Sequence, residues 1–302
     1  MGKKQQIKGD LDDVEALLEI ITVLKDVSTN RFFAFAQAKE SLQNFLEAFL
    51  VYFNLLGPVK TNCPLVKNLN TKSTTIVLVT SDSSFMSQLN ARACNAAFQE
   101  YQKFPGAHVL LIGRKAVDKC KMMGMTVAHV IDMTDRHDRY TIAIQLREYL
   151  VDRILKGESG RVVCVYVWAK SFNILKPRMI RLLPVEELLS GEEDAQGTAE
   201  GGLEKEKTIN EMPFILESKV DGIMKVLADL WVSSRLFEVL QDTRLAEAAA
   251  QAQQLEQSME SLSKEKKGLA LGLKKAQKGD LNKAMREVFV SSSIIKGRQG
   301  RR

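Results

Sequence analysis

The sequence predicts an α/β chain in which the N- and C-terminal helices form a long antiparallel coiled coil joined to a central α/β domain. Three observations carry that prediction. Apolar residues recur at helical spacing from Leu11 to Leu56, with no Gly or Pro between them. Between residues 73 and 185, short β-branched runs alternate with amphipathic stretches. From residue 218 to 290 a helical apolar stripe returns.

The N-terminal helix comes first. Positions spaced alternately by three and four from Leu11 are Leu11, Val14, Leu18, Ile21, Lys25, Ser28, Phe32, Phe35, Lys39, Leu42, Leu46, Phe49, Phe53 and Leu56. Eleven of these 14 are apolar, where composition alone would give about six. At the gap around Lys25 and Ser28, Leu24 and Val27 are expected to carry the stripe on the neighbouring face. Such drift follows because 3.6 does not divide seven. Gly57-Pro58 is a helix stop. At about 1.5 Å per residue the helix is a rod of roughly 70 Å, too long to bury its stripe against a small domain.

The middle reads as strand and helix in turn. Thr75–Thr80 is a buried strand, and Phe85–Phe104 a helix stopped by Pro105-Gly106. His108–Ile112 is a second strand turning at Gly113, followed by a short helix over Val117–Met123. Thr126–Ile131 is a third strand, Tyr140–Leu155 a second long helix, and Arg161–Val167 a fourth strand. That alternation implies right-handed crossovers and a largely parallel sheet covered on both faces, a Rossmann-like domain.

Residues 186–211 hold nine acids and two lysines, which makes the segment −7 in a chain of net charge +6. It is expected to be a solvated linker. The C-terminal helix starts its stripe with Val220, Ile223, Leu227 and Leu230. Leu255, Met259, Leu262, Lys266, Leu269 and Leu273 continue it at heptad spacing. The small-residue run Leu245–Ala252 offers a close approach for another helix. The register shifts by one near Gly279, before Leu281, Met285 and Val288; breaks are expected near Gly268, Gly272 or Gly279. Two rods of this length bury their stripes by pairing antiparallel. The expected divisions are a coiled-coil helix over 1–57, an α/β foot over 73–185, the acidic linker 186–211, a second coiled-coil helix over 212–290 and a basic tail over 291–302. The linker and the tail are each expected to face solvent or a partner.

Composition excludes several classes. With 302 residues, 45% hydrophobic and 26% charged, the chain resembles ordinary globular proteins and can bury a sizeable core. Cys63, Cys94, Cys120 and Cys164 are too dispersed for a zinc ribbon or a CxxC pair, and point to a reducing compartment. The start, MGKKQQIKGDLDD, has no apolar core of a secretory signal. The most apolar stretch, Phe45–Leu56, is shorter than the roughly 20 residues a bilayer requires.

Little chemistry is marked. The first strand is followed by Ser81–Asn90, without the glycines that let backbone approach a phosphate, and neither GxxxxGK[ST] nor GxGxxG occurs there. Gly113-Arg-Lys115 reads as a turn with solvated charges. His137 beside Asp138 could form a pair, but no nucleophile accompanies it. Met122, Met123 and Met125 read as core filler. Basic clusters at Lys3, Lys4 and Lys8, at Lys264–Lys267, at Lys274–Lys278 and in the tail lack interleaved aromatics. They read as solvated faces or contacts to an acidic protein surface, not as a nucleic-acid site.

Five segments, in order, carry a family resemblance: Ile20–Ser28 (IITVLKDVS), Val77–Asp82 (VLVTSD) with Leu89-Asn90, His108–Lys115, Val163–Val185, and Leu281–Val288 (LNKAMREV). Together they resemble the gamma subunit of F-type ATP synthases over nearly the whole chain. The departures are Ser84, Ser87 and Gln88 in place of glycines in the TSD segment, Asp26 in place of a methionine, and the basic end Ser291–Arg302. Gln277-Lys278 matches the family's Arg-Gln pair.

What the resemblance implies is a non-catalytic rotor, the central stalk. Its coiled coil turns inside a ring of alpha- and beta-type subunits and couples c-ring rotation to their conformational change in ATP synthesis. It implies an epsilon-type subunit and the membrane c-ring as further partners, no cofactor, and a peripheral place on the cytoplasmic face of the membrane. It places the ring contacts at Lys25, Gln277, Lys278, Met285 and Glu287. The other reading is a gamma-derived coiled-coil adaptor working outside a proton-driven motor.

Overall fold

In the computed structural model of the chain, residues 3–56, 63–67, 73–133, 138–185 and 218–299 are described, with their side chains except at 3, 40–56 and 291–299. The elements are α1 (Lys3–Leu56), β1 (Thr74–Val79), α2 (Ser87–Lys103), β2 (His108–Ile112), a 3-10 turn over Arg114–Ala116, α3 (Val117–Met122), β3 (Val127–Ile131), α4 (Arg139–Leu155), β4 (Arg161–Ser171), β5 (Ile174–Leu183) and α5 (Val220–Gln299). The chain forms two compact units, Ser28–Gln251 and Met1–Val27 with Ala252–Arg302. The acidic linker 186–211 and His137 lie outside the described residues.

The unit Ser28–Gln251 is built on one sheet of order β3-β2-β1-β4-β5. β1 lies at its centre, parallel to β2 and to β4, and all six of its residues are buried. That explains its unbroken apolar run: a strand with helices on both faces has no solvent side. Alternate residues feed the two faces. Val77, Val79, Leu110, Ile112, Cys164 and Tyr166 meet α4 and the start of α5. Ile76, Leu78, Val109, Leu111, Val163 and Val165 meet α2, α3, Phe32 of α1 and the small-residue run of α5. In that run Ala246 and Ala249 are fully buried against this face of the sheet.

Two expectations are corrected in this unit. β5 is an antiparallel edge strand paired to β4, and the sequence reading has no strand there. Lys176, Arg178 and Arg181 interrupt its apolar residues, and Pro177 is tolerated because only one side of an edge strand is paired. The face of α5 turned to the core is Met224, Ala228, Trp231, Val232, Leu236, Val239 and Leu240; of the expected stripe, Ile223 and Leu227 are only partly buried and Leu230 is exposed. Met125 is core, but Met122 is 88% exposed and fills nothing.

All four cysteines are buried and none is in a disulfide. Cys94 and Cys120 share a hydrogen bond between α2 and α3, which raises the Cys120 thiol, with burial adding to it. Spacing gives no hint of this pair, because the two helices are joined by a whole strand.

The unit Met1–Val27 with Ala252–Arg302 pairs α1 with α5 antiparallel. Lys25 Nζ lies 2.9 Å from Glu256 Oε1, and Lys266 Nζ lies 3.1 Å from Glu15 Oε1. Ten residues forward on one helix match ten backward on the other. Between them the Thr22 hydroxyl donates to Met259 Sδ at 3.5 Å. Such exposed ion pairs add little stability, but they define the register. Val14 and Leu255 are buried in the seam, and Leu11, Leu18, Ile21, Leu262, Leu269 and Leu273 are partly so. Leu24 and Val27 are 43% and 42% exposed, so the stripe does not shift onto them. It runs on through Lys25, which finds Glu256 as a partner. α5 is helical through Gly268, Gly272 and Gly279, where breaks are expected from sequence.

Candidate functional site

The antiparallel register determines where α1 runs out. α1 starts at Lys3. With Glu15 against Lys266, Lys3 stands level with about residue 278, and among the described residues none of α1 lies beside the last roughly 20 residues of α5, about 30 Å, to Gln299. The sequence changes where the partner ends. Ala276 is partly buried, but the next seam positions, Asp280, Lys283 and Glu287, are charged and exposed. The apolar stripe moves over by one residue, about 100° round the helix, to Leu281, Met285 and Val288. These are 62%, 64% and 68% exposed, and Phe289 and Val290 beside them are also exposed. Ala284, Met285, Val288 and Phe289 line a shallow apolar hollow.

A helix end with charged residues on the old seam and bare apolar side chains on a new face is shaped for a partner other than α1. Its surroundings are basic: Lys264, Lys266, Lys267, Lys274, Lys275, Lys278, Lys283 and Arg286 stand against Glu265, Asp280 and Glu287. The surface therefore suits an acidic rim around an apolar contact.

Four of the five residues expected to touch a ring, Gln277, Lys278, Met285 and Glu287, are exposed on this end of α5. Lys278 and Met285, seven apart, share the face of the bare stripe. Lys25 is elsewhere, half-buried in the seam with its ammonium on Glu256. Sequence reasoning did not single out Ala284, Phe289 or Val290. The signal available was the unbroken apolar run Val288–Val290, three residues after Met285.

The second place to look for chemistry is the carboxyl end of the sheet. There the residues after β1 are engaged with one another and with the chain ends beside them. The Thr80 hydroxyl donates to the Ile112 carbonyl at 2.6 Å. Ser81 N–H donates to Asn90 Oδ1 at 2.9 Å, and Asn90 Nδ2 donates back to the Ser81 carbonyl at 2.8 Å. Asp82 accepts from Lys115 N–H at 2.8 Å and from Met133 N–H at 3.1 Å, tying together the segments that follow β1, β2 and β3. Arg114 makes a two-pronged pair with Asp132 at 2.9 Å. Asp138 caps α4, accepting from Tyr140 N–H and the Thr141 hydroxyl. Among the described residues, a crevice whose polar groups satisfy one another in this way offers a phosphate no cradle of N–H groups.

Two outcomes follow. Calorimetry with ATP, ADP and NAD on the isolated chain is expected to give no dissociation constant below about 10 μM, roughly −7 kcal/mol; tighter binding of any of them would contradict the reading of this crevice. Asp82→Ala leaves two backbone donors without their acceptor and is expected to destabilise the chain by about 2 kcal/mol. The shift should be in the denaturant midpoint at unchanged slope.

The fold and both surfaces can be set beside known proteins. Residues 3–289 match the family model described as ATP synthase. The chain belongs to the ATP synthase family. It is 19% identical over 302 residues to the ATP synthase gamma chain of Desulfotalea psychrophila, covering 98% of this chain and 100% of the relative. It is 22% identical over 314 residues to the chloroplastic gamma chain of Trieres chinensis, covering 97% of this chain and 85% of that one. Among solved structures, a chain of the Euglena gracilis mitochondrial ATP synthase (OSCP/F1/c-ring) superposes with a TM-score of 0.61 at 12% identity, covering 97% of this chain and 95% of that one. A chain of the Tetrahymena thermophila central stalk and c-ring gives 0.56 at 15% identity, covering 79% and 99%. These similarities establish the fold, with its long terminal helices and central sheet, and a gamma-type member of the family.

Proposed function

We propose that this gamma-type chain is the rotor of an F-type ATP synthase, the central-stalk subunit that couples c-ring rotation to conformational change in a ring of alpha- and beta-type subunits. The chain is not itself an enzyme; it is a mechanical subunit of a catalytic complex. The observation that carries the reading is the end of α5, which outruns α1 and turns a bare apolar face and a basic flank outward. A rotor acts by presenting different surfaces to identical neighbours in turn, so that each neighbour's equilibrium shifts as the contact changes. A single helix with one apolar face is asymmetric in the required way. Lys25, Gln277, Lys278, Met285 and Glu287 are the proposed ring contacts, Lys25 being paired with Glu256.

The α/β unit is the proposed seat for an epsilon-type subunit and for the c-ring. Among the described residues no helix is long and apolar enough to cross a membrane, which suits a peripheral place, proposed here on the cytoplasmic face. The divisions 1–57, 73–185, 186–211, 212–290 and 291–302 are proposed as shaft, foot, linker, shaft and tail. No observation favours an adaptor outside a motor. Affinity purification of the tagged chain from its own cells, with quantitative subunit counting, tests the proposal. Three alpha-type and three beta-type subunits per chain are expected, and a preparation free of both would overturn it.

A further inference from the structure

Within the unit Ser28–Gln251, described side chains of α1 reach the rest of the fold at several points. Phe32 packs edge-on to Phe172 of the β4–β5 turn, Phe35 lies under the Arg244 guanidinium, and Lys39 reaches inward. The Lys39 ammonium is 2.7 Å from Asp242 Oδ1, and the Asp242 side chain is 1% exposed. The other carboxylate oxygen of Asp242 accepts from the Tyr166 hydroxyl at 3.2 Å, and Tyr166, on β4, is also buried. One carboxylate thus joins three elements: α1 through Lys39, the sheet through Tyr166, and α5 through its own backbone. Burial, and next the Asp242 charge, push the Tyr166 hydroxyl well above its usual range, so it stays a donor.

The surrounding charges complete the cluster. Arg178 and Lys39 both lie over the Trp168 ring, and Arg235 pairs with Glu238 while lying over Trp231. Away from this junction, the apolar contacts of α5 with the sheet, such as Leu236, Val239 and Leu240, include no described residue of α1.

Apolar surfaces tolerate sliding, whereas a buried ion pair has one geometry in which both charges are satisfied. The best-attested use of such pairs is to fix register, not to add stability. We propose that Lys39, Asp242 and Tyr166 form a register lock that fixes α1 against α5 and the sheet, so that rotation imposed on the sheet unit reaches both helices without slip. The transmission part of the proposal rests on the rotor reading; the lock itself does not. All three are positioning residues.

The test uses the full chain and the assembled complex. Asp242→Asn alone leaves Lys39 buried beside a neutral partner and is expected to lower the melting temperature. The combination Lys39→Met, Asp242→Leu and Tyr166→Phe removes both charges and the hydroxyl together, and is expected to regain much of that temperature. Two readouts follow on the triple variant. Nitroxide labels at Arg31→Cys on α1 and Gln241→Cys on α5, with the four native cysteines buried, report register by pulsed electron resonance. One narrow distance is expected in the parent, and in the triple variant a broadened distribution or one displaced by about 5 Å, one helical turn. In complexes reconstituted into vesicles, ATP hydrolysis is expected within about twofold of the parent, with ions moved per ATP lowered at least about threefold. An unchanged distance distribution would overturn the lock. A changed distribution with an unchanged ion-to-ATP ratio would overturn its role in transmission. Failure of the parent chain to assemble would overturn the rotor reading, and the distance measurement would still decide the lock.

Discussion

Gly113→Val is expected to destabilise the chain by about 3 kcal/mol or more, the largest loss among single substitutions in the α/β unit. Gly113 ends β2 with φ +99°, a region that a β-branched residue does not enter without strain. A Cβ there would also press on Thr80, with the Thr80 carbonyl oxygen at 2.9 Å and the hydroxyl closer still. Neither group can step aside. Thr80 N–H donates to the Ile112 carbonyl at 2.8 Å, and its hydroxyl donates to the same oxygen. Gly106 supplies the control, with φ +85° and nothing within 4 Å of a Cβ. Gly106→Ala pays only for the backbone, about 1 kcal/mol, so the excess at Gly113→Ala measures the contact with Thr80. Equal denaturant midpoints for the two alanine variants would show that the contact carries no energy.

The same corner explains what the sequence could and could not disclose. The segment Thr80–Asn90 is polar, and part of it carries the family resemblance. Its residues turn out to serve one another: Thr80 closes on β2, Ser81 and Asn90 pair, and Asp82 collects two N–H groups from chain segments far apart in sequence. Sequence shows the polar residues but not their long-range partners, which is why motif and site are hard to tell apart.

Periodicity was informative where one face is buried against one partner. In the N-terminal half of α1 the three-four spacing picks out the seam, including Lys25 and Ser28, better than the apolar count did. Leu24 and Val27 at the gap are more apolar but lie off that spacing, and they stay exposed. In α5 near residue 224 two apolar stripes lie side by side, and only tertiary packing selects Met224 and Trp231 over Leu227 and Leu230. β5 escaped because an edge strand with Lys176, Pro177, Arg178 and Arg181 lacks the apolar run that marks β1. The end of α5 was legible as a one-residue shift in the stripe, but its meaning required knowing that α1 had already ended.

That end carries the prediction with the largest functional effect. Leu281→Gln, Met285→Gln and Val288→Gln together replace three exposed apolar side chains by polar ones that a helix accepts well. Because α1 does not reach them, the isolated chain should keep its helix content, and its melting temperature should move by no more than exposed substitutions usually cause, about 0.5 kcal/mol each. Assembly should respond in the opposite way. Each side chain, once covered, contributes on the order of 1.5–3 kcal/mol, so three of them even at half value weaken association with an alpha- and beta-type ring by at least about 30-fold. Leu262→Gln gives the contrast, since that residue lies in the α1–α5 seam and its loss should lower the melting temperature first. Purified ring subunits mixed with each variant, followed by gel filtration and ATPase assay, separate the two behaviours. If the triple variant assembles and sustains ATP hydrolysis as the parent does, the bare stripe is not the bearing face, and the contact of this chain with a ring must be sought elsewhere on α5.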